Sequence, residues 1–191
     1  MYVIKRDGSK APLRYDSITD RNLEVSTDLD IDVTYLSQLV INSLKSGMTT
    51  SEIDDLSAET AFYLSCYNPD YDVLATRIAV SNLHKQTDSS FVNIMRKLHH
   101  QVNPETGRQM HLISDEFLHF TETHADALQN MIDFRRDHKY NYFGLQTMKK
   151  LYLLRHGDKI AERPQHMILR VAVAIHYVRA ADVTNATLQK S

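Results

Sequence analysis

Cysteine is nearly absent from this 191-residue sequence, which has only Cys66. A single thiol can neither close a disulfide within the chain nor build a multi-cysteine zinc site, so both are excluded. An excess of charge of one sign is lacking too, because the net charge is -2 with neutral His. Proteins that bind nucleic acids usually have strongly basic surfaces, so no nucleic-acid partner is expected. A local basic pocket is compatible with this composition.

Long hydrophobic runs are also missing. No apolar stretch reaches the roughly 18 residues of a membrane span. The opening residues, MYVIKRDGSK, lack the apolar segment of a secretory signal. We therefore expect a cytoplasmic protein with no membrane partner.

Glycine occurs five times and forms no phosphate loop of the P-loop or dinucleotide type. The 42% of hydrophobic residues is ordinary for a globular protein and allows a packed core.

The first 87 residues predict a hairpin followed by four helices. Residues 2–5 and 10–13 flank Asp7-Gly8, a pair typical of a two-residue type I′ turn, in which both residues have positive φ. Each helix begins at a polar residue that can accept a hydrogen bond from a free backbone N–H group. The predicted caps are Asp16 for residues 17–25, Asp32, Thr49 and Asn68.

Two further signals support these helices. Glu52 follows Thr49 by three residues, which is the spacing of a capping box. Gly47 predicts a left-handed end for the second helix. The fourth helix is expected to run to about residue 85.

The second half also reads as mainly helical. Residues 88–147 carry helical apolar stripes, interrupted by a loop at residues 103–107. A small second hairpin is expected around Gly157 and ends before Pro164. Residues 167–178 are strongly apolar and predict a buried helix. The fold class is therefore α+β and mostly α-helical.

Several separate blocks of this sequence point to one known family. The runs VIKRDG at residues 3–8 and TTSEID at 49–54 resemble an ATP-cone domain, and NPDY at 68–71 with ATRIAVSNLHK at 75–85 is similar to its last helix. The runs YNYFG at 140–144, ERPQHM at 162–167 and RVAVAIH at 170–176 look like the segment before a ten-stranded barrel. Together they resemble the class I ribonucleotide reductase large subunit of eukaryotes and viruses. The resemblance implies an ATP cone at 1–87 and the N-terminal helical part of the catalytic domain at 88–191.

This resemblance implies a site for ATP or dATP, with Mg²⁺, as allosteric effector. Lys5, Arg6 and Lys85 would contact the phosphates, while residues 11–17, Thr50 and Asp54 would contact the base and ribose. Thr50 and Asp54 lie four residues apart and so share a helix face. Neighbouring strand residues point to opposite sides, which is a difficulty for Lys5 with Arg6. The implied contacts are Lys5, Arg6, Ala11, Pro12, Leu13, Arg14, Tyr15, Asp16, Ser17, Thr50, Asp54 and Lys85.

The resemblance also implies the wider activity. The family reduces ribonucleoside diphosphates to deoxyribonucleotides, and its large subunits form homo-oligomers and pair with a radical-generating small subunit. Its catalytic thiols and glutamate follow the region of His176, so no catalytic residue is expected here and the chain alone should be inactive. Two alternatives are a truncated regulatory module that binds nucleotide and a decayed copy that does not. An ATP cone fused to a zinc ribbon is disfavoured, because the cysteines it needs are missing.

Other reactive side chains have ordinary interpretations. His99, His100 and His111 are expected at the surface rather than around a metal, since neighbouring helix residues do not share a face. Cys66 is expected to be a buried or half-buried thiol. Arg163, before Pro164, is a candidate for a buried ion pair. No metal site is predicted.

Overall fold

The computed structural model describes residues 1–103 and 105–188, with only the helical backbone for residues 177–188. The chain forms two compact units. Unit 1 comprises Met1–Lys85 and His138–Gln146, and unit 2 comprises Gln86–Asp137 and the chain from Thr147 onward. The predicted fold class, α+β and mostly helical with two small hairpins, is confirmed.

The first hairpin pairs β1 (Tyr2–Ile4) with β2 (Lys10–Pro12) in antiparallel register. The predicted type I′ turn is wrong, because Gly8 has a φ of 84° whereas Asp7 does not have positive φ. The Asp7 carboxylate instead accepts bonds from the Ser9 N–H at 2.9 Å and the Ser9 hydroxyl at 2.7 Å. Lys5 N–H donates to Ser9 O at 2.8 Å, which closes a three-residue loop whose last residue is Gly8.

Four helices follow: α1 (Asp16–Val25), α2 (Val33–Asn42), α3 (Thr50–Leu64) and α4 (Asp70–Gln86). The Asp32 cap is confirmed, because its carboxylate accepts from Tyr35 N–H at 2.8 Å. The capping box is also confirmed, since Glu52 N–H donates to Thr49 Oγ1 at 3.1 Å and Thr49 N–H donates to Glu52 Oε2 at 2.7 Å. Asn68 Oδ1 accepts from the first residue of α4 at 3.0 Å.

The predicted cap at Asp16 is wrong. Tyr15 already has helical dihedrals, with φ -63° and ψ -39°, so Asp16 lies inside the first turn and the cap position makes no side-chain bond. The carbonyl of Tyr15 accepts from Ile18 N–H at 3.0 Å. A cap needs extended backbone to turn its side chain toward the free N–H groups, and Tyr15 does not have it.

Gly47 has the predicted left-handed backbone, with a φ of 90°. It does not end the second helix as predicted, because α2 ends five residues earlier, at Asn42. Its N–H donates to Tyr2 O at 2.8 Å, and Ile4 N–H donates to Met48 O at 3.0 Å. Ile4 also forms a parallel bridge with Thr49. These bonds hold the hairpin against the start of α3.

Replacing Thr49 with Ala should lower the free energy of unfolding by about 1 kcal/mol, because the variant loses the side-chain half of the capping box. Chemical denaturation followed by circular dichroism measures this change. The control is Thr34→Ala, which alters an exposed threonine in the first turn of α2. Equal effects of the two substitutions would contradict a stabilising role for the cap.

The core of unit 1 lies among α2, α3 and α4. Its fully buried apolar side chains are Leu36, Val40, Ala58, Ala61, Leu74, Ala75, Ile78, Ala79 and Val80. The separate segment of unit 1 is anchored at Tyr142. Its ring centroid lies 4.9 Å from that of Phe62, and its N–H donates to Asp72 Oδ1 at 3.2 Å.

The remaining elements are α5 (Phe91–His99), α6 (Asp115–Thr123), α7 (Ala125–Asn130), a 3₁₀ helix (Phe134–Lys139), α8 (Tyr142–Leu151), β3 (Arg155–His156), β4 (Lys159–Ile160) and α9 (Pro164–Leu188). The second hairpin is present as predicted but shorter, and Gly157 has a φ of 59° at its turn. The core of unit 2 consists of Phe91, Ile94, Met95, Leu98, Ile113, Phe117, Leu118, Leu128, Ala161 and Val173.

The apolar stretch of α9 is only partly buried, so the prediction of a buried helix is wrong. Val173 packs into the core of unit 2, whereas Ile168, Val171 and Ile175 are about half exposed. Residues two apart on a helix face nearly opposite directions, which explains the difference. In the described part of the chain, no helix combines the length and apolar character that crossing a bilayer requires.

Three other expectations are settled by burial. Cys66 is exposed rather than buried, since it lies beyond the end of α3, where its thiol donates to Tyr63 O at 3.1 Å. His99 is buried rather than at the surface, with Nδ1 2.8 Å from Ile113 O. Arg163 is buried as expected; burial lowers its pKa, and the negative charge of Asp137 opposes that shift. Among the described residues, no three His, Cys, Asp or Glu side chains are grouped as a metal site requires.

Candidate functional site

Unit 1 contains a cavity of about 450 Å³ between the first hairpin, α1 and α3. This volume lies within the range of small-molecule sites. Its lining consists of Val3, Lys5, Ala11, Pro12, Leu13, Arg14, Ser17, Ile18, Arg21, Asn22, Thr50, Ile53, Asp54 and Ser57. Eight of the twelve residues implied by the sequence resemblance are in this set: Lys5, Ala11, Pro12, Leu13, Arg14, Ser17, Thr50 and Asp54.

Local structure explains how these side chains meet. The hairpin is hydrogen-bonded to the turn before α3, so its loop lies beside the first turns of that helix. Residues three or four apart share a helix face, which brings Ser17 and Arg21 together on α1. The same spacing brings Thr50, Asp54 and Ser57 together on α3.

Asp54 is the charged centre of the site, and its side chain is only 10% exposed. Arg6 Nη2 lies 2.8 Å from Asp54 Oδ2, and Arg21 Nε lies 3.2 Å from Asp54 Oδ1. One carboxylate therefore holds two guanidinium groups that come from separate parts of the chain.

Lys5 and Arg6 both lie beyond the end of the strand, and they reach different parts of the site. β1 ends at Ile4, so both residues belong to the loop region, where strand alternation no longer applies. Lys5 lines the cavity. Arg6 reaches Asp54 and also donates to Asn82 Oδ1 at 2.8 Å.

Helix α4 supplies the next layer of the site. Asn82 is buried and its Nδ2 donates to Ser51 O at 3.0 Å, while Arg21 Nη2 donates to Ser81 Oγ at 2.8 Å. Lys85 is exposed, but partial desolvation lowers its pKa, the charges of Arg21 and Arg6 lower it further, and the charge of Asp54 opposes them. Lys85 is thus within electrostatic reach of the Asp54 cluster.

Lys85 itself lines a neighbouring cavity of about 730 Å³, together with Glu24, Arg77, Ser81, His84 and His138. Its place is therefore beside the first cavity, not in its wall. Tyr15 and Asp16 are exposed and fall outside the lining of the first cavity. The implied set is thus brought together around one cavity and its edge, apart from these two.

Positive charge exceeds negative charge around Asp54. Lys5, Arg6, Arg14, Arg21 and Lys85, in the cavity wall or at its edge, carry five positive charges, whereas Asp54 and Glu24 carry two negative charges, which leaves an excess of three. Such an excess around an open cavity favours an anion, especially one with several charges.

Sequence reasoning missed several lining residues, among them Arg21, Asn22 and Ser57. A signal for them was present. Arg21 follows Ser17 by four residues on α1, and Ser57 follows Asp54 by three on α3. Projecting the implied residues along their helix faces would have found both.

Comparison with known proteins bears directly on this cavity. The ATP cone domain family matches residues 1–86, and the family "Ribonucleotide reductase, all-alpha domain" matches residues 138–188. The ribonucleoside-diphosphate reductase large chain 2 of Saccharomyces cerevisiae is 46% identical over 179 residues, which is 92% of this chain and 21% of that protein. The chain belongs to the ribonucleoside-diphosphate reductase large-subunit family.

Other members of the reductase family agree. The large chain of Schizosaccharomyces pombe is 46% identical over 92% of this chain and 22% of its own length. The large subunit of Caenorhabditis elegans is 43% identical over 97% of this chain and 24% of its own length. The chain therefore spans about a fifth to a quarter of these relatives. The resemblance inferred from the sequence blocks is confirmed, and every residue that lines the cavity lies within the ATP cone domain.

Proposed function

We propose that the cavity of unit 1 binds ATP or dATP as an allosteric effector, and that the chain regulates a reductase large subunit. The excess of positive charge around Asp54, at the edge of a cavity of nucleotide-compatible size, carries this proposal. A triphosphate concentrates several negative charges, and its binding favours clustered cations. The ATP cone domain supports a nucleotide as the class of ligand.

In this proposal each part of the nucleotide has its own partners. Lys5, Arg6 and Lys85 bind the phosphates, and Arg21 joins them. Thr50 and Asp54 contact the ribose. A carboxylate offers about four acceptor positions, so two arginine bonds leave Asp54 able to accept from a ribose hydroxyl. The segment of residues 11–17 and the apolar wall hold the adenine.

Mg²⁺ belongs to the proposal as a companion of the triphosphate. The described residues offer no group of three acidic, His or Cys side chains for a metal. Mg²⁺ commonly binds through phosphate oxygens, water and one or two carboxylates. The ion would therefore be held mainly by the nucleotide itself.

The wider activity is also a proposal. The whole protein would reduce ribonucleoside diphosphates to deoxyribonucleotides in the cytoplasm, with other large subunits and a radical-generating small subunit as partners. Residues 1–87 would be the ATP cone, and residues 88–191 the start of the catalytic domain. Nucleotide binding would shift assembly through a coupling free energy of about 1–3 kcal/mol. With one cysteine, this chain alone should not turn over substrate.

Calorimetric titration of the 191-residue chain with ATP, dATP and adenosine tests the nucleotide site. We expect micromolar dissociation constants for both triphosphates, and at least about a hundredfold weaker binding of adenosine, because charge-assisted bonds to phosphate are lost. No heat with either triphosphate would refute the proposal. That outcome would favour the alternative of a decayed copy that retains the fold without binding nucleotide.

A further inference from the structure

Asn22 is an unusual residue in the wall of this cavity. It is completely shielded from solvent, and its Oδ1 has no hydrogen-bond partner. Its Nδ2 donates to the hydroxyl of Ser37, also buried, at 3.2 Å. Native proteins pair the large majority of buried polar atoms, since leaving one unpaired costs free energy. An unpaired acceptor in a residue of a cavity wall is available to a partner that enters from the cavity.

The surroundings of Asn22 restrict the chemistry of that partner. Ile18, one helical turn earlier on α1, and Val3 and Ile53 line the same cavity. These apolar side chains favour a flat, weakly hydrated group such as a purine ring over a phosphate or a sugar. The arginines and Asp54 supply the polar contacts for the rest of such a ligand.

We infer that Asn22 recognises the adenine base through its exocyclic amine, and so selects adenine over guanine nucleotides. The inference rests on the proposed nucleotide site and names the residue that reads the base. Adenine presents an amine donor at the position where guanine presents a carbonyl acceptor. The side-chain carbonyl of Asn22 can accept a hydrogen bond from the adenine amine, whereas it would face the guanine carbonyl acceptor to acceptor.

The contact requires a small movement of Asn22, because no part of its side chain is accessible to solvent. The terminal torsion of an asparagine amide is broad and soft, so such a rotation costs little. The amide is planar, so a small rotation that turns its carbonyl toward the ring also moves Nδ2, and the 3.2 Å bond to the Ser37 hydroxyl must adjust with it.

The first test changes the ligand and leaves the protein intact. Purine riboside 5′-triphosphate lacks only the exocyclic amine of ATP. The 191-residue chain should bind it about tenfold more weakly than ATP, as expected for one lost hydrogen bond to a buried acceptor. GTP should bind more weakly still. Equal affinities for ATP and purine riboside triphosphate would overturn the inference.

The second test changes Asn22 itself. Asn22→Leu keeps a similar volume but has no acceptor, so it should bind ATP and purine riboside triphosphate equally. Asn42→Leu, at the solvent-exposed end of α2, should keep the tenfold preference of the unmodified chain. A preference retained by Asn22→Leu would also overturn the inference. If no triphosphate binds to the unmodified chain, the nucleotide site itself fails, which is a distinct result.

Discussion

Lys85→Met is expected to weaken ATP binding by about 10–100-fold and, at the same time, to stabilise the nucleotide-free chain. The loss of affinity follows from removing one charge-assisted contact to phosphate. A small gain in stability follows from the lowered pKa of Lys85: the residue is exposed, but partial desolvation and the charges of Arg21 and Arg6 outweigh the attraction of Asp54. Desolvation and the neighbouring positive charges therefore disfavour the charged ammonium when no nucleotide is bound.

The lowered pKa of Lys85 also determines how the free energy of unfolding changes with pH. The pKa of Lys85 in the folded chain lies below its ordinary value, so the unfolded chain binds more protons between the two values. The free energy of unfolding should therefore rise as the pH increases from the folded-state pKa of Lys85 to its ordinary value. Below both values, the destabilisation caused by the charged Lys85 should be complete. Lys85→Met should lack this contribution to the rise.

Two measurements on the same protein check these opposite effects: the midpoint of thermal unfolding without nucleotide, and the dissociation constant for ATP. Lys45→Met is the matched control, because Lys45 is exposed in the loop after α2 and does not line the cavity. A variant that lost stability and affinity together would show that Lys85 supports the fold rather than the ligand.

Asp54→Ala should lower the free energy of unfolding by about 2–3 kcal/mol. Asp54 is 10% exposed and holds Arg6 and Arg21, whose side chains are 34% and 21% exposed. Removing one member of a largely buried ion pair leaves the other charges without compensation, which costs about 3–5 kcal/mol when burial is complete. The partial exposure of Arg6 reduces that cost.

Urea denaturation of the nucleotide-free chain measures the change, and Glu59→Ala, an exposed carboxylate on the same helix, is the control. The double variant Asp54→Ala/Arg21→Leu should be less destabilised than the sum of the two single variants, because the second substitution removes an unpaired charge. Simple additivity would mean that the two side chains contribute independently, contrary to the 3.2 Å contact.

Local features of this fold could be predicted because their causes are local. The Asp32 cap and the capping box of Thr49 with Glu52 depend on residues three positions apart, and both are present. The predicted turn type of the first hairpin was wrong, and the cause is also local. Ser9 donates two hydrogen bonds to the Asp7 carboxylate, and these bonds favour a different short turn.

Burial was harder to predict, because it depends on which helix face finds a neighbour. His99 is buried and Cys66 is exposed, opposite to expectation, since one packs beside the loop at Ile113 and the other lies past a helix end. The site shows the same limit. Family resemblance implied Lys5, Thr50 and Asp54, whereas the positions of Arg21 and Asn22 in the cavity wall depend on the docking of α1 beside the hairpin and α3.

The docking of the hairpin onto the turn before α3 has a mechanical consequence. The cavity walls come from residues 3–22 and 50–57, and the nearby Lys85 comes from the far end of α4. Any occupant that contacts all three parts braces distant stretches of chain against separation. Its contribution to stability grows with its concentration, reaching about 2.7 kcal/mol at a hundredfold excess over the dissociation constant. In a sequence with a single cysteine, such a molecule is a removable substitute for a covalent cross-link.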